Sequence, residues 1–190
     1  MDLHRLGVKI AAEGADALPL HDFIPLFHRW IQQHALDELL IDVADYSHVH
    51  HGPGILLAAH EGNYAFDESG GRRGLVYYGK RQQPGDLAGR LALAARRALN
   101  ACRLVEEDAA FKGKVKFNGA DLEIFANDRL AAPNTEATLK LLRPAIDALL
   151  AKLHPGAKFE LVREADAKER FSVRLKAAAN ASVSELLQRL

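Results

Sequence analysis

The chain has 190 residues, of which 48% are hydrophobic and 26% charged, and its 25 basic side chains are balanced by 25 acidic ones. A formal net charge of zero argues against a nucleic-acid partner, because such proteins usually carry excess positive charge to displace the counterions of the phosphates. Cys102 is the only cysteine, which excludes an intrachain disulfide and a CxxC zinc site.

The sequence shows no membrane-directed segment. No stretch approaches the roughly 20 apolar residues of a membrane span, and the N-terminal MDLHRLGVKIAAEG lacks the apolar core of a signal peptide. With a single cysteine, these features predict a cytoplasmic protein without a membrane partner. The length fits one domain over residues 1–190, with 1–82 and 83–190 as alternative sub-units.

The first part of the chain predicts strands around one helix. Leu6, Val8 and Ile10 alternate with other residues, as in a half-buried strand. The segment HDFIPLFHRWIQQHAL has one apolar helical face, with Asp22 as N-cap and His34 on the buried side. Three further strands are predicted in ELLIDVADY, GILLAAHEGNYAFDE and GLVYYGKR, of which the last two are joined by the turn SGGR.

The second part alternates helices with pairs of strands. Residues 84–107 carry apolar side chains every three or four positions and predict a long helix. Two short strands, KVKF and DLEIFAN, are expected around the turn NGAD. A helix capped by Asn134 follows, and Pro144 should kink or split it. The hairpin of KFELVRE and RFSVRLKA then leads to a last helix with the capping box Ser182–Glu185.

The predicted order of elements is β-α-β-β-β-α-β-β-α-β-β-α. Antiparallel hairpins with helices packed on one face of the sheet predict the α+β class. A helix–strand–strand unit appears three times in this order, and its last two copies resemble each other in sequence. This is a weak internal αββ repeat, which common α+β architecture explains nearly as well.

The stretch HVHHGPGILLAAHEGNY, residues 48–64, holds four of the nine histidines and raises the question of a metal site. A catalytic zinc ion needs three protein ligands and an open position, and neither HExxH nor HxxxH spacing occurs. Solvated loop histidines are therefore favoured and no cofactor is predicted, with a divalent metal as the alternative. The weak candidate ligands are His48, His50, His51, His60 and Glu61.

The same stretch predicts a polar face on the sheet. If the strands on either side of residues 48–54 pair, the expected register places Asp42 opposite His60. In the next hairpin Tyr64 lies opposite Tyr77, and Gly62 lies opposite Gly79, which leaves room for a ligand or for a closely packed helix. The side chains predicted on this face are Asp42, His60, Tyr64, Tyr77 and Arg81.

A carboxylate beside His60 would set its tautomer and raise its basicity, as in a general-base device. No nucleophile accompanies this pair, since Ser47 and Ser69 lie in loops and Cys102 lies on the apolar face of a helix. The interpretation of Asp42 and His60 as a satisfied buried polar pair is therefore favoured over catalysis.

The segment HHGPG, from His50 to Gly54, is similar to the HGPG loop of octanoyl (lipoyl) transferases, where the loop lies in a β-hairpin near the acyl site. The family's preceding RGG signature is absent here, and its catalytic cysteine and lysine cannot be placed. More broadly, several segments together resemble an uncharacterised bacterial family of soluble proteins, which implies a bacterial cytosolic origin and transfers no site residues. These segments are FIPLFHRWIQ, LLIDVADY, HGPG, AHEGNYA and NDRLAAPNT.

The function expected from the sequence is the binding of a small molecule or a protein partner without chemistry. The expected pocket is lined by Asp42, His60, Tyr64 and Tyr77, with residues 48–54 at its rim. One alternative is a hydrolase or acyl transferase in which His60 is the general base, oriented by Asp42, with or without a metal held by the loop histidines. Another is a structural module that forms a homo-oligomer through an exposed sheet edge.

Overall fold

The computed structural model describes residues 3, 5–15, 18–50 and 52–190. The strands of this part are β1 (Leu6–Glu13), β2 (Leu40–Tyr46), β3 (Gly54–Ala59), β4 (Gly62–Asp67), β5 (Gly74–Gly79), β6 (Lys116–Ala126), β7 (Phe159–Arg163) and β8 (Ser172–Ala177). The α-helices are α1 (Phe23–Gln33), α2 (Leu87–Glu107), α3 (Glu136–Leu153) and α4 (Val183–Arg189). All strands pair antiparallel in one sheet, in the order β2-β3-β4-β5-β1-β6-β8-β7, so the predicted α+β class is confirmed.

Strand β1 lies inside the sheet, between β5 and β6. Because successive strand residues point to opposite faces, Leu6, Val8 and Ile10 face one side, and Gly7 and Lys9 face the other. The first three join the main hydrophobic core, to which the helices contribute their apolar faces. A separate small cluster on the other face contains strand residues alone. The helices therefore cover one face, and the second face is called the open face below.

The predicted strand GILLAAHEGNYAFDE is two strands, β3 and β4. Ala58 pairs with Asn63, so the chain reverses direction across His60 and Glu61. The turn is held by neighbouring backbone, since the amide of Lys80 donates to the carbonyl of Glu61 at 2.8 Å. The sequence does not indicate this turn, because apolar strand residues lie on both sides of it and the two intervening residues are neither glycine nor proline.

The expected turn NGAD lies inside the single strand β6. Ile10 pairs with Leu122, but Ala11 pairs with Asn118, so residues 119–121 bulge out of the ladder with β1. The amide of Ala120 donates to Asn118 Oδ1 at 2.9 Å. Because one predicted strand divides and two merge, the number of strands is the expected one. The threefold helix–strand–strand order, however, does not hold: α1 is followed by four strands and α2 by one.

The helices differ from the prediction at three positions, two at helix ends and one inside α3. The N-cap of α3 is Thr135, because the side-chain amide group of Asn134 instead donates to the backbone carbonyls of Glu164 and Asp166. Helix α3 continues through Pro144 without being split. His34 is exposed and ends α1 in a left-handed conformation, with φ 50°, rather than entering the core. The capping box at the start of α4 is confirmed.

His154, at the end of α3, holds the bulge of β6 in place. Its Nε2 lies 2.9 Å from the carbonyl oxygen of Gly119 and is therefore the donor. Burial lowers the pKa of His154 below the ordinary value of 6.5, which outweighs the effect of this hydrogen bond. The stabilisation is then complete above pH 6.5 and is lost as the pH falls through the lowered pKa, because the buried ring must take up a charge.

We predict that the free energy of unfolding, measured by urea denaturation, is smaller at about pH 5 than at about pH 7.5. The variant His154→Gln retains an N–H donor but cannot become charged, so it should lose less stability between these two pH values. His28→Gln, at an exposed position of α1, is the control and should keep the wild-type difference. Equal pH dependence in wild type and His154→Gln would contradict the assignment.

Candidate functional site

The predicted registers between β4 and β5 are confirmed, but their side chains face the helices. Tyr64 lies opposite Tyr77, and Gly62 lies opposite Gly79. Both tyrosines belong to the main hydrophobic core and are almost fully buried. A Cβ atom at Gly62 would lie 2.5 Å from the Tyr77 hydroxyl, so the expected gap between the glycines is filled by that side chain.

The two tyrosines form a buried polar cluster with Glu38 and Arg97. The Tyr64 hydroxyl donates to Glu38 Oε1 at 2.6 Å, and the guanidinium of Arg97, from α2, donates to the Tyr77 hydroxyl. Burial, and then the charge of Glu38, raise the pKa of Tyr64 far above its ordinary value and that of Tyr77 to about 12. Both phenols therefore remain protonated, Tyr64 as a donor to Glu38 and Tyr77 as an acceptor from Arg97, and this cluster ties α2 to the sheet.

The predicted pairing of Asp42 with His60 is wrong. Asp42 lies opposite Ala58, because the register shifts between Leu40 and Asp42. Its side chain is exposed and accepts a hydrogen bond from the amide of Val43. His60 lies in the turn beyond the end of β3, so a shared strand face cannot bring the two together.

His60 has a different carboxylate neighbour. Its Nδ1 lies 2.9 Å from Glu61 Oε1, and Gln83 donates to the other oxygen of Glu61 at 2.6 Å. These two hydrogen bonds hold the pKa of Glu61 below its ordinary value. Arg81 is exposed beyond the end of β5, and its backbone amide donates to the carbonyl of Glu61. The pair is a half-exposed turn contact rather than a core feature.

The weak metal candidates do not converge. His48 and His50 are exposed in the loop after β2, and His51 lies outside the described residues. Among the residues that the structure describes, no group of three or more histidine, cysteine, aspartate or glutamate side chains could hold a metal ion. Cys102 is buried in α2, and burial raises the pKa of its thiol, in agreement with a packing role.

A large cavity instead lies on the open face of the sheet. Its volume is about 990 Å³, and it is lined by five arginines and four carboxylates together with apolar strand residues. The loops 52–53, 69–72 and 162–170 all contribute to its lining. We call this cavity the open-face trough. The predicted rim loop 48–54 thus borders a cavity, but on the face opposite to the tyrosine pair.

The pairing of the strands divides the open face into two halves. In one row across the sheet, Leu56 lies opposite Ala65, which lies opposite Val76. The same row continues from Val76 through Lys9 on β1, Glu123 on β6 and Arg174 on β8. Of these residues, Ala65 and Val76 line the trough from β4 and β5, and Glu123 and Arg174 line it from β6 and β8, so this row of its floor is apolar on one side of β1 and charged on the other.

Lys9 marks the boundary between the halves and is only 1% exposed. Its ammonium group pairs with Asp67 and donates to the carbonyl oxygen of Ser69 at 3.0 Å and to its hydroxyl at 3.2 Å. Burial lowers the pKa of Lys9, whereas the carboxylate of Asp67 acts in the opposite direction. These contacts attach the turn after β4 to the middle of the sheet.

That turn presents Arg72 to the charged half of the trough. Arg72 donates to Asp121 at 3.0 Å and to Glu123 at 2.7 Å. Arg174 forms a second, two-pronged pair with Asp121, at 3.0 and 2.5 Å. The hydrogen-bonding capacity of both carboxylates is thereby directed at these two arginines, which fixes their orientation.

Arg170 differs from these two arginines. Its guanidinium lies over the ring of Phe125, 3.7 Å from the centroid, and its closest carboxylate contact is Glu123 at 3.8 Å. It donates no side-chain hydrogen bond to any described residue, and its side chain is 29% exposed. Gly7 makes room beneath, since a Cβ atom there would lie 2.2 Å from the Phe125 ring.

Sequence reasoning missed the trough although each strand carried a signal. Lys9, Glu123 and Arg174 occupy the non-core positions of alternating strands, where charged residues are expected to face water. These three residues lie far apart in the sequence, and only the long-range pairing of β1, β6 and β8 makes them neighbours, so no local pattern indicated one site. Gly7 was a further sign, because a glycine inside a strand indicates that another group approaches closely, here the ring of Phe125 opposite it.

The Lys9–Asp67 pair allows a direct test. Lys9→Met should leave the Asp67 carboxylate buried without its counter-charge and lower the free energy of unfolding by about 3–5 kcal/mol. The double variant Lys9→Met/Asp67→Leu should lose much less, because no unpaired charge then remains. Urea denaturation of the wild type, Lys9→Met, Asp67→Leu and the double variant measures both effects, and a double variant that lost the sum of the single losses would contradict a paired interaction.

Comparison with known proteins leaves the function to be argued from this geometry. No protein-family model, curated protein or solved structure matches the chain. No helix among the described residues is long and apolar enough to cross a membrane. The resemblances noted in the sequence therefore assign no role to any residue of the trough.

Proposed function

We propose that the protein binds a small organic molecule in the open-face trough without changing it chemically. The observation that carries this proposal is the cavity itself, with a volume of about 990 Å³ and a floor that changes from apolar to charged across β1. Ligand pockets in proteins have volumes of roughly 300–1,000 Å³ and combine apolar walls with a few oriented polar groups.

The rigidity of the floor supports binding. Ala65, Val76 and Phe125 are buried within paired strands, and Lys9 and Asp67 fix the adjoining turn. A ligand would therefore meet side chains that are already ordered, which lowers the entropic cost of binding.

The surroundings of the Ser69 hydroxyl, which lies beside Lys9, favour binding over catalysis. Ser69 lines the trough, and its hydroxyl lies 3.2 Å from Lys9. The amino group of Lys9, however, donates to this hydroxyl and pairs with Asp67, so it is not directed at accepting the hydroxyl proton. The Ser69 hydroxyl itself donates to Asp67 at 2.9 Å. These contacts make Ser69 part of the turn and not a prepared nucleophile.

Binding can be measured with the neutral fluorescent probe N-phenyl-1-naphthylamine. We expect its emission to rise with wild-type protein, because the trough offers a partly apolar site shielded from water. Ser172→Trp, on the trough floor, should fill the space and abolish most of the increase. Ser47→Trp, in an exposed loop, is the matched control and should bind as the wild type does.

A further variant separates the trough from the pocket expected from the sequence. His60→Ala should leave probe binding unchanged, since His60 lies in the turn between β3 and β4, outside the trough lining. Binding lost in His60→Ala and retained in Ser172→Trp would overturn the proposal. Absence of any emission change with wild-type protein would do the same.

Self-association is a second candidate function, favoured by the edge strand β2. This strand ends the sheet, and apolar side chains on or beside it are exposed, namely Leu39, Ile41, Tyr46 and Val49. An unpaired strand with exposed apolar residues can pair with the same strand of a second copy.

Light scattering across a range of protein concentrations tests this second candidate. We expect the average mass to rise above that of one chain with concentration, and Ile41→Lys to prevent the rise. Leu130→Lys, which changes an equally apolar but more exposed side chain away from β2, should not prevent it. A constant single-chain mass for the wild type would exclude self-association over the range measured.

A further inference from the structure

We infer that the ligand of the open-face trough is an organic monocarboxylate, with its carboxylate on Arg170 and its apolar body on the apolar half. This inference rests on the proposed binding function and adds the chemical class of the ligand. Arg170 above Phe125, and the trough residues Val76 and Ala65, carry it.

Arg170 is the arginine of the trough that is best placed to receive an anion. Arg72 and Arg174 already direct their donors at Asp121 and Glu123. Arg170 is held by stacking on Phe125, which leaves its N–H groups without a described hydrogen-bond acceptor. A guanidinium oriented by an aromatic ring, with its donor edge open, matches the two oxygens of a carboxylate.

A second arginine of the lining, Arg129, is less suitable. Arg129 makes no ion pair with a described residue, but its side chain is exposed at the rim. Water and salt screen a charge in that position, so an ion pair there would contribute little. Arg170 is partly buried, and its interaction with an anion is screened less.

The charge of the lining favours a single negative charge on the ligand. Five arginines and four carboxylates line the trough, which leaves an excess of one positive charge. The carboxylates of Glu123, Glu164 and Glu169 are among them. A phosphate monoester carries up to two negative charges near neutral pH and would be repelled more strongly by these groups than a carboxylate is.

The apolar half lies across β1 from Phe125, over which Arg170 is held. Phe125 lies opposite Gly7 on β1, and Gly7 lies opposite Tyr78 on β5, which lines the trough together with Val76 and Ala65. Three strand spacings separate β6 from β4, which corresponds to roughly 14 Å at about 4.8 Å a spacing. An extended or ring-containing apolar body attached to a carboxylate can therefore cover this strip while its head group contacts Arg170.

The test compares three probes with the same chain and different head groups: decanoate, decanol and decylammonium. Binding is measured by displacement of N-phenyl-1-naphthylamine from the full-length protein. We expect decanoate to bind most tightly and decylammonium most weakly. Arg170→Gln should weaken decanoate binding about tenfold to hundredfold and leave decanol binding unchanged, because only the charge-assisted hydrogen bonds are lost.

Two further variants test whether the loss of decanoate binding in Arg170→Gln is specific to the guanidinium group at this position. Arg170→Lys retains the charge but not the planar two-pronged geometry, and should give an intermediate loss for decanoate. Arg96→Gln, at an exposed position of α2, removes one positive charge far from the trough and should change nothing. Circular dichroism and urea denaturation of each variant establish that it is folded before its binding is compared.

The outcomes separate this inference from the function on which it rests. Decanol and decanoate bound equally, or decanoate binding unchanged in Arg170→Gln, would overturn the carboxylate assignment while leaving small-molecule binding intact. Decyl phosphate bound more tightly than decanoate would assign the site to phosphates and overturn the monocarboxylate. Failure of all probes, including N-phenyl-1-naphthylamine, would overturn the proposed function itself.

Discussion

Strand β1 imposes the constraint on which the rest of the structure depends. It pairs with β5 on one side and β6 on the other, so it joins the strands of the first part of the chain to those of the second. Its alternation gives Val8 and Ile10 to the helix-covered core, and Lys9 to the open face. Because Lys9 is buried in the middle of the sheet, its ammonium group is shielded from water and requires a carboxylate nearby.

The contacts that satisfy Lys9 organise the open face. Asp67 and Ser69 satisfy Lys9 and bring the turn after β4 across the sheet. Arg72 follows in that turn and reaches the acidic residues of β6. The buried charge of Lys9 thus fixes the turn that carries Arg72, and the ion pairs of Arg72 form a charged region beside the apolar strands. The arrangement suits a ligand that is itself part apolar and part charged.

Much of the fold followed from local patterns. Amphipathic helices and alternating strands were identified from periodicity, and the registers Tyr64–Tyr77 and Gly62–Gly79 followed from a hairpin with a recognisable turn. The predictions failed at positions where the local sequence is compatible with two different structures. NGAD has the composition of a turn but forms a bulge held by His154 from α3, and His60 sits in a turn that lacks typical turn residues.

The sequence by itself determined the class of the fold, the core-facing side of most elements and the hairpin that pairs Tyr64 with Tyr77, because these depend on interactions between residues close along the chain. Only the tertiary structure decided which face carries a cavity. Lys9, Glu123 and Arg174 are each unremarkable in their own strand. They become one site because β1, β6 and β8 are neighbours in the sheet, and such pairing depends on contacts between residues about 50 or more positions apart in the sequence.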